Sequence, residues 1–481
     1  MPAEVRNSIF VGGRFVAAHA SAVHAVINPA TEEVIGAVPV GDQEDVSRAV
    51  GGARAALRDP SWSRTSSKQR ASLLRRLADL LEAHRDDMAL LLTRQNGLTI
   101  GSSRVSVVKT AASYRYYAGL AESIETEEVR ASTAAHTLVR REPIGVAALI
   151  VPWNGPQSLL SWKLGPALAA GCTAVIKPAL ETTLDGYLLM ELVAEAGFPD
   201  GVVNLVPGGA QTGAMLVADD GVDKVTFTGS TEAGRQIALA CAQRLIPATL
   251  ELGGKSAAIV LDDASLAGFA PMVVGVCSPN TGQVCRACTR VLVPEFRYDE
   301  AVEIIAGAMA AAPVGDPMRP DTVFGPVVSR RQRDRIEEYI AIGLAAGAKL
   351  VVGGGRPARH DRGYYVDPTV FGNVTNDMRI AREEIFGPVV VVLPYRDDDD
   401  AVSIANDSDF GLGGFIYTAD VERGTALARR IETGSIGVNY AAMTMEGPFG
   451  GYKQSGLGKE LGPEGLAAYQ NVKSIYRPGT R

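Results

Sequence analysis

One cysteine stands in a stretch unlike the rest of the chain, Asn280-Thr281-Gly282-Gln283-Val284-Cys285-Arg286-Ala287-Cys288. Gly282 and Gln283 lead Cys285 into a turn just ahead of an apolar run. A cysteine so placed is a candidate nucleophile, because a thiolate attacks carbonyl carbon readily. Three other readings compete with it: a redox-active Cys285-x-x-Cys288 pair, half of a metal site, or a buried structural thiol. A structural zinc site takes about four ligands. No second Cys-x-x-Cys exists, and Cys172, Cys241, Cys277, His19, His24, His84, His136 and His360 have no ligand spacing, so no metal is expected. A thioredoxin-like pair would precede a helix, whereas a strand follows here. The closeness of Cys285 and Cys288 also raises the expectation that oxidation joins them reversibly.

A nucleophilic cysteine usually borrows a histidine as its base. No histidine falls in any turn that follows an apparent strand. Glu251, in Leu250-Glu251-Leu252-Gly253-Gly254-Lys255, offers a carboxylate instead. Its leucine neighbours predict partial burial, which would raise its pKa toward that of a useful base.

These groups need elements to position them. Residues 64–95 carry Leu73, Leu77, Leu80, Leu81 and Met88 at helical spacing and predict one amphipathic helix, stopped by Gly97. From residue 145 short apolar strands alternate with helices of roughly 10–15 residues, the pattern of βαβ units in a parallel sheet. The first series runs through Gly145–Val151, Ser158–Ala170, Thr173–Ile176, Thr183–Ala196, Val202–Val206, Lys224–Phe227 and Thr231–Leu245. A second begins after Cys285, with strands at Arg290–Val293, Lys349–Val352, Val389–Leu393, Gly414–Tyr417 and Ile436–Asn439. Its helices are Asp299–Ala311 and Arg330–Ala346, and the run Asp397–Asp400 reads as a solvated helix start. The fold class is therefore α/β, with two domains in tandem and a switch near 252–262. Ligands of parallel sheets sit beyond the carboxyl ends of the strands. Here those ends carry Pro152-Trp153-Asn154, Lys177-Pro178, Thr228-Gly229-Ser230-Thr231-Glu232 and Glu251-Leu252-Gly253-Gly254-Lys255.

Composition narrows the classes. The chain has 481 residues, 46% hydrophobic and 21% charged, which excludes disorder and suggests two or three domains. A net charge of −7 without a basic stripe argues against nucleic acid. The longest apolar run, Ile144 to Val151, is far short of a membrane span of about 20 residues. The N-terminus lacks the build of a signal peptide. Five cysteines, an odd number, give no disulfide scaffold, and a reducing cytoplasmic setting is expected. The 52 glycines show no collagen repeat, so they belong to turns, caps and close backbone approaches.

Taken together the segments resemble the aldehyde dehydrogenase superfamily. The matches are Pro152-Trp153-Asn154, Trp162-Lys163-Leu164-Gly165-Pro166-Ala167-Leu168, Lys177-Pro178, Phe227-Thr228-Gly229-Ser230-Thr231, Leu250 to Lys255, Gly282-Gln283-Val284-Cys285, Glu383-Glu384-Ile385-Phe386-Gly387-Pro388 and Pro448-Phe449-Gly450-Gly451-Tyr452-Lys453. They occur in the family's order and spacing over nearly the whole chain.

The resemblance implies a mechanism. Cys285 attacks the aldehyde, and the Asn154 amide and the Cys285 backbone N–H hold the oxyanion. A hydride passes to NAD(P)+, and Glu251 activates water to hydrolyse the thioester. Lys163 matches a lysine near the site, with proton transfer and a structural role both open. Lys177 resembles the lysine on the adenosine ribose, and Glu384 the carboxylate on the nicotinamide ribose, with Phe386 beside it. Phe227, Gly229 and Ser230 fall in the cofactor turn, where a helix N-terminus suits a diphosphate. Trp153 and Leu252 would line the nicotinamide pocket, and Trp162 and Phe449 the substrate pocket. The lack of a Gly-x-Gly-x-x-Gly after a strand is expected of this family.

Two departures matter. Relatives that prefer NAD often carry Glu three residues after the ribose lysine, where this chain has Leu180 and then Glu181. NAD is expected as the main cofactor, with NADP also possible. Gly155 replaces an aromatic that lines the substrate tunnel in many relatives, and Pro279 replaces another near the nucleophile. A roomier pocket for bulky aromatic or terpenoid-like aldehydes is expected, with semialdehyde or CoA-acylating activity as the alternatives. The expected division is 1–120 and 142–252 for a Rossmann-like NAD(P)-binding domain, 253–452 for the catalytic domain, and 121–141 with 466–481 for a small β element. That element would pair subunits into a homodimer or homotetramer.

Overall fold

The computed structural model describes residues 4–123, 125–131 and 135–478. The remaining residues of the expected β element, 124, 132–134 and 479–481, lie outside the described residues.

Two sheets organise the chain. In the first, five strands run parallel in the spatial order Ala248–Glu251, Lys224–Thr228, Val146–Ile150, Thr173–Lys177, Val203–Leu205. Val146–Ile150, Thr173–Lys177 and Lys224–Thr228 are buried at every position, as strands covered by helices on both faces must be. Antiparallel strands close both margins: Ser8–Val11 and Arg14–Ala17 on one side, Gly456–Leu457 on the other. Gly456–Leu457 is thus an edge strand returning late in the chain. The second sheet runs Lys349–Val352, Thr369–Gly372, Val389–Tyr395, Arg290–Pro294, Ala257–Val260, Gly414–Tyr417, Gly437–Val438. Only Lys349–Val352 is antiparallel there. The passage between sheets falls at 252–256, between Ala248–Glu251 and Ala257–Val260.

The predicted single helix over 64–95 is two helices, Ser67–Ala83 and Arg85–Asn96, joined at His84. The apolar register survives the one-residue break: Leu77, Leu81 and Met88 are fully buried. That is why spacing alone gives no sign of it. Ser66 and Gln69 form a reciprocal capping box at the start, and Gly97 ends the second helix at φ +87. Asp397 caps Asp398–Asn406 by accepting from the Asp400 N–H, so the acidic run is a helix start.

A third sheet joins Glu127–Ala131, Ala135–Pro143 and Gln470–Pro478. The long helix Ile100–Ser123 continues past residue 121. Leu466 and Tyr469 are buried in the core of the first sheet, and the third sheet's C-terminal strand begins at Gln470.

Candidate active site

In the first sheet, Val146–Ile150 and Lys224–Thr228 are neighbours. From the former the chain winds toward Thr173–Lys177, and from the latter toward Ala248–Glu251. Their following turns therefore splay apart and open a crevice at the carboxyl edge. A cleft of about 880 Å³ lies there, with Trp153, Asn154, Gly229, Ser230 and Leu252 on one side and Cys285, Glu384 and Phe386 on the other. Trp153 and Phe386 meet edge to face, ring centroids 5.3 Å apart.

The loop before Cys285 is tightly held. Asn280, Thr281 and Gly282 take φ of +49, +56 and +76 in succession. A Cβ on Gly282 would lie 2.0 Å from the Gly387 carbonyl oxygen, so only glycine lets these segments meet. Gln283 is fully buried. Its Oε1 accepts from the Val328 N–H (3.0 Å) and its amide donates to the Asn280 carbonyl (3.2 Å). The Thr281 hydroxyl donates to the Gly325 carbonyl (3.2 Å).

Asn154 docks on this loop. Its Nδ2 donates to the Gln283 carbonyl (2.8 Å), and its own carbonyl accepts from Asn280 Nδ2 (3.1 Å). An amide carries two N–H bonds, so one is committed to the loop and the other is free for a ligand. Gly254 brings the base strand close: a Cβ there would lie 2.4 Å from the Cys285 carbonyl oxygen.

Cys285 is half-buried and packs with Trp162, Met443 and Met445 against Leu412, Phe449 and Leu461. Burial, then the carboxylates of Glu384 and Glu251, push its thiol up to about 12, while Arg286 pulls it down. This environment favours the protonated thiol. Cys288 belongs to a different apolar cluster, with Cys277, Val276 and Phe415. Its thiol approaches the Arg286 carbonyl (3.8 Å).

Glu251 ends its strand 1% exposed, and neither carboxylate oxygen has a partner. Burial and the neighbouring Glu460 push its carboxyl well above the usual range, against the pull of Lys163 and Lys459. A Cβ on Gly450 would lie 2.7 Å from Oε1, so the backbone there approaches the carboxylate directly. Lys163, fully buried, donates to Glu460 Oε1 (2.6 Å) and to the Thr228 hydroxyl (2.6 Å).

At the end of its strand the buried Lys177 donates from Nζ to the carbonyls of Pro178 and Gly208 (both 2.7 Å). Burial lowers its pKa to about 8. Glu384 Oε1 accepts from the Gly254 N–H (3.1 Å), and burial raises its carboxyl to about 7. Ser230 caps Thr231–Arg244 through the Ala233 N–H (3.3 Å). Phe227 lies near the end of the strand Lys224–Thr228. Its ring is buried beneath Gly229, where a Cβ would meet Phe227 Cζ at 2.3 Å. Trp162 and Phe449 pack edge to face at 5.5 Å beside Cys285. A Cβ on Gly155 would touch only Leu159, at 3.5 Å, and otherwise find open space.

Several positioning residues escape sequence reasoning. Glu460 completes the Lys163 pair from 297 residues away. The Ser455 hydroxyl donates to the Gly253 carbonyl (2.7 Å) and accepts from the Gly411 N–H (2.9 Å). Asn96 Nδ2 donates to the Trp153 carbonyl (2.7 Å). No local pattern marks any of them. Among the described residues no group of three or more His, Cys, Asp or Glu could hold a metal ion, and no helix is long and apolar enough to cross a membrane.

Cys285 and the Asn154 amide thus line the cleft, and the buried carboxylate of Glu251 acts on the Cys285 thiol. The aldehyde dehydrogenase family model matches residues 15–475. A geranial dehydrogenase of Castellaniella defragrans is 49% identical over 473 residues, covering 98% of both chains. The aldehyde dehydrogenase of Mycobacterium tuberculosis, solved with NAD+, superposes with a TM-score of 0.95 at 42% identity, covering 98% of each chain. Aldehyde dehydrogenase C of Pseudomonas syringae, solved with NAD+ and octanal, gives 0.95 at 40% identity over 98% of this chain and 96% of that one. With that match over almost its full length, the chain belongs to the aldehyde dehydrogenase family.

Proposed function

We propose that the chain oxidises a bulky, branched or aromatic aldehyde to its carboxylic acid through a thioester on Cys285. The observation that carries this is the convergence of Cys285, Asn154 and the unpartnered carboxylate of Glu251 beside an apolar wall. NAD fits the residues of the cleft: Lys177 would hold the adenosine ribose, the Gly229–Ser230 helix start the diphosphate, and Glu384 the nicotinamide ribose, between Trp153 and Phe386. When bound, it supplies the acceptor for the aldehyde hydride.

The chain's own residues do the rest. Glu251 takes the thiol proton, directly or through water, because a thiol near pKa 12 cannot ionise unaided at neutral pH. The sulfur attacks the carbonyl carbon. The free N–H of Asn154 and the Cys285 N–H hold the oxygen that becomes negative. Once the thioester has formed and Glu251 has passed the first proton to solvent, its carboxylate takes a proton from water. The water oxygen bonds to the acyl carbon, the carbon–sulfur bond breaks, and the acid leaves. Each use of Glu251 needs its ionised form, which its environment opposes. Activity should therefore rise with pH.

Substrate size is supported by the open space at Gly155 and by the flexible, polarisable Met443 and Met445 beside Trp162 and Phe449. The likeness to a geranial dehydrogenase points the same way. NAD is the main cofactor, with NADP accepted more weakly. Leu180 packs toward Val26 and Tyr187 and leaves no carboxylate three residues after Lys177. Glu181 turns to Arg331 (3.5 Å) yet still favours the charged form of Lys177.

We assign the cofactor to the first sheet, Cys285 to the second, and subunit pairing to the arm. The strand Gln470–Pro478 is an edge with Val472 66% and Tyr476 76% exposed, suited to a second copy. An aldehyde panel with NAD and NADP, read at 340 nm, tests the reading. Higher kcat/KM for geranial- or benzaldehyde-like substrates than for acetaldehyde supports it, and the reverse refutes the size claim. A strong NADP preference refutes the cofactor claim. NADH formation that depends on CoA moves the chain to the acylating class.

A further inference from the structure

Asp185 is 1% exposed, and its hydrogen bonds come from two side-chain amides and from the backbone at Asp185 and Gly186 rather than from a cation. Gln95 Nε2 donates to Oδ1 (2.7 Å) and Gln157 Nε2 to Oδ2 (2.6 Å). Gln95 also accepts from the Leu184 N–H (2.9 Å). A buried carboxylate is costly to keep, and burial raises this one to about 6. Such a group calls for a reason.

Its location supplies one. Gln157 sits in the first turn of Pro156–Ala170, three residues after Asn154. Between them Gly155, the N-cap, has φ −155 and ψ 57 and makes no side-chain cap. With no Cβ, it leaves the path from Asn154 into the helix loosely defined. The turn is tethered on either side instead. Before Asn154, the Trp153 carbonyl accepts from Asn96, the neighbour of Gln95. After it, Gln157 is held by Asp185. Gln95 and Asn96 end a helix whose position is fixed in turn, since a Cβ on Gly97 would lie 2.6 Å from the Pro326 carbonyl oxygen.

We infer that Asp185, with Gln157 and Gln95, is a positioning unit that fixes the Asn154 amide over Cys285 and so sets the rate of carbonyl attack. This rests on the thioester reading above, in which Asn154 holds the oxyanion. Misplacement of such a donor by about 1 Å can cost about 100-fold, so a partial loosening is expected to cost about ten-fold.

The Gln157 Oε1 atom has no partner, which gives the unit a distinctive response. In Asp185→Asn the Gln157 amide can turn over, accept from the new amide and restore the tether. Gln95 can still donate to the remaining oxygen. Asp185→Leu strands both donors, and Gln157→Leu cuts only the link to the Asn154 turn.

The test uses the full-length enzyme and two assays: aldehyde oxidation with NAD, and hydrolysis of p-nitrophenyl acetate, which needs attack and oxyanion support but no hydride transfer. Asp185→Leu and Gln157→Leu are each expected to lower kcat about ten-fold in both assays, with KM for NAD within about two-fold. The double variant should be no worse than the worse single, and Asp185→Asn should recover at least half of the activity. Unchanged kcat in Gln157→Leu, additive losses, a loss confined to KM for NAD, or Asp185→Asn as impaired as Asp185→Leu would each overturn the inference. If Asp185→Leu fails to fold, Gln157→Leu and Asp185→Asn decide. Cys285→Ala separates the two levels: activity surviving there defeats the thioester reading itself, whereas its loss beside a fully active Gln157→Leu defeats only the positioning role.

Discussion

Lys163 Nζ and Glu460 Oε1 lie 2.6 Å apart in a space closed to solvent, so the lysine is bound to a partner other than Glu251. The pair stands beside Glu251 and acts on it from both directions: Glu460 raises its pKa and Lys163 lowers it.

Opposite variants should therefore move the pH profile in opposite directions. Glu460→Gln removes a like charge, so the acidic limb of kcat shifts to lower pH. Lys163→Met removes an opposing charge, so the limb shifts to higher pH. Steady-state kcat between pH 5 and 9 checks both, and shifts of the same sign would rule out the arrangement. Lys163→Met also strands the Glu460 carboxylate, at a cost of about 3–5 kcal/mol. Glu460→Gln keeps an acceptor for Lys163 and should cost less in urea denaturation.

Glu251 itself should trade stability for chemistry. Its folded pKa lies above its unfolded value, so between the two the folded state binds more protons and stability falls as pH rises. Glu251→Gln removes that penalty. The variant should melt above the wild type at pH 8, with the gap closing toward pH 5. It should also lose about 100-fold or more of turnover, because a positioned base is worth about 10²–10⁴ in rate. A variant no more stable than wild type at pH 8 would contradict a buried, unpartnered carboxylate.

Much of this was legible in the sequence because it is local. Alternating short apolar strands and helices announce the two sheets, and the polar turns after 151, 177, 228 and 251 mark the edge where the cleft opens. Cys285, Glu251 and Asn154 carry their identity in short motifs. What stayed hidden is long-range. Glu460 comes from the far end of the chain to meet Lys163, and Ser455 to hold the Gly253 turn. Asp185 reads as an ordinary acidic residue in a first helical turn until Gln95 and Gln157 are seen around it. The break at His84 was invisible because the apolar register runs straight across it.

Gly282→Ala should be among the most damaging single changes. The backbone there has φ +76, unfavourable to alanine by about 1–2 kcal/mol. The added methyl would also sit 2.0 Å from the Gly387 carbonyl oxygen, which is backbone and cannot step aside. The loop must move, taking the Gln283 carbonyl that orients Asn154. Loss of soluble expression, or folded protein with at least about 100-fold lower kcat, is expected. Circular dichroism separates those outcomes, and a folded variant with normal kcat would show that the close approach does not matter.

Gly155→Phe should change which aldehydes are accepted rather than whether chemistry occurs. The space beyond Gly155 is open except for Leu159, and the Trp162–Phe449 pair stands near Cys285. A phenyl ring would fill that space and narrow the approach to the sulfur. Asn154, Glu251 and Cys285 are themselves unchanged, so short aldehydes should be oxidised with kcat/KM within a few-fold of wild type. Branched or aromatic aldehydes should lose about ten-fold or more, since even one methylene of misfit in an apolar pocket is worth about 1–3 kcal/mol. The ratio of kcat/KM for citral to that for propanal, measured with NAD in both proteins, reads the effect directly. A ratio left unchanged would show that the long chain leaves Cys285 by another route, past Met443 and Met445 instead.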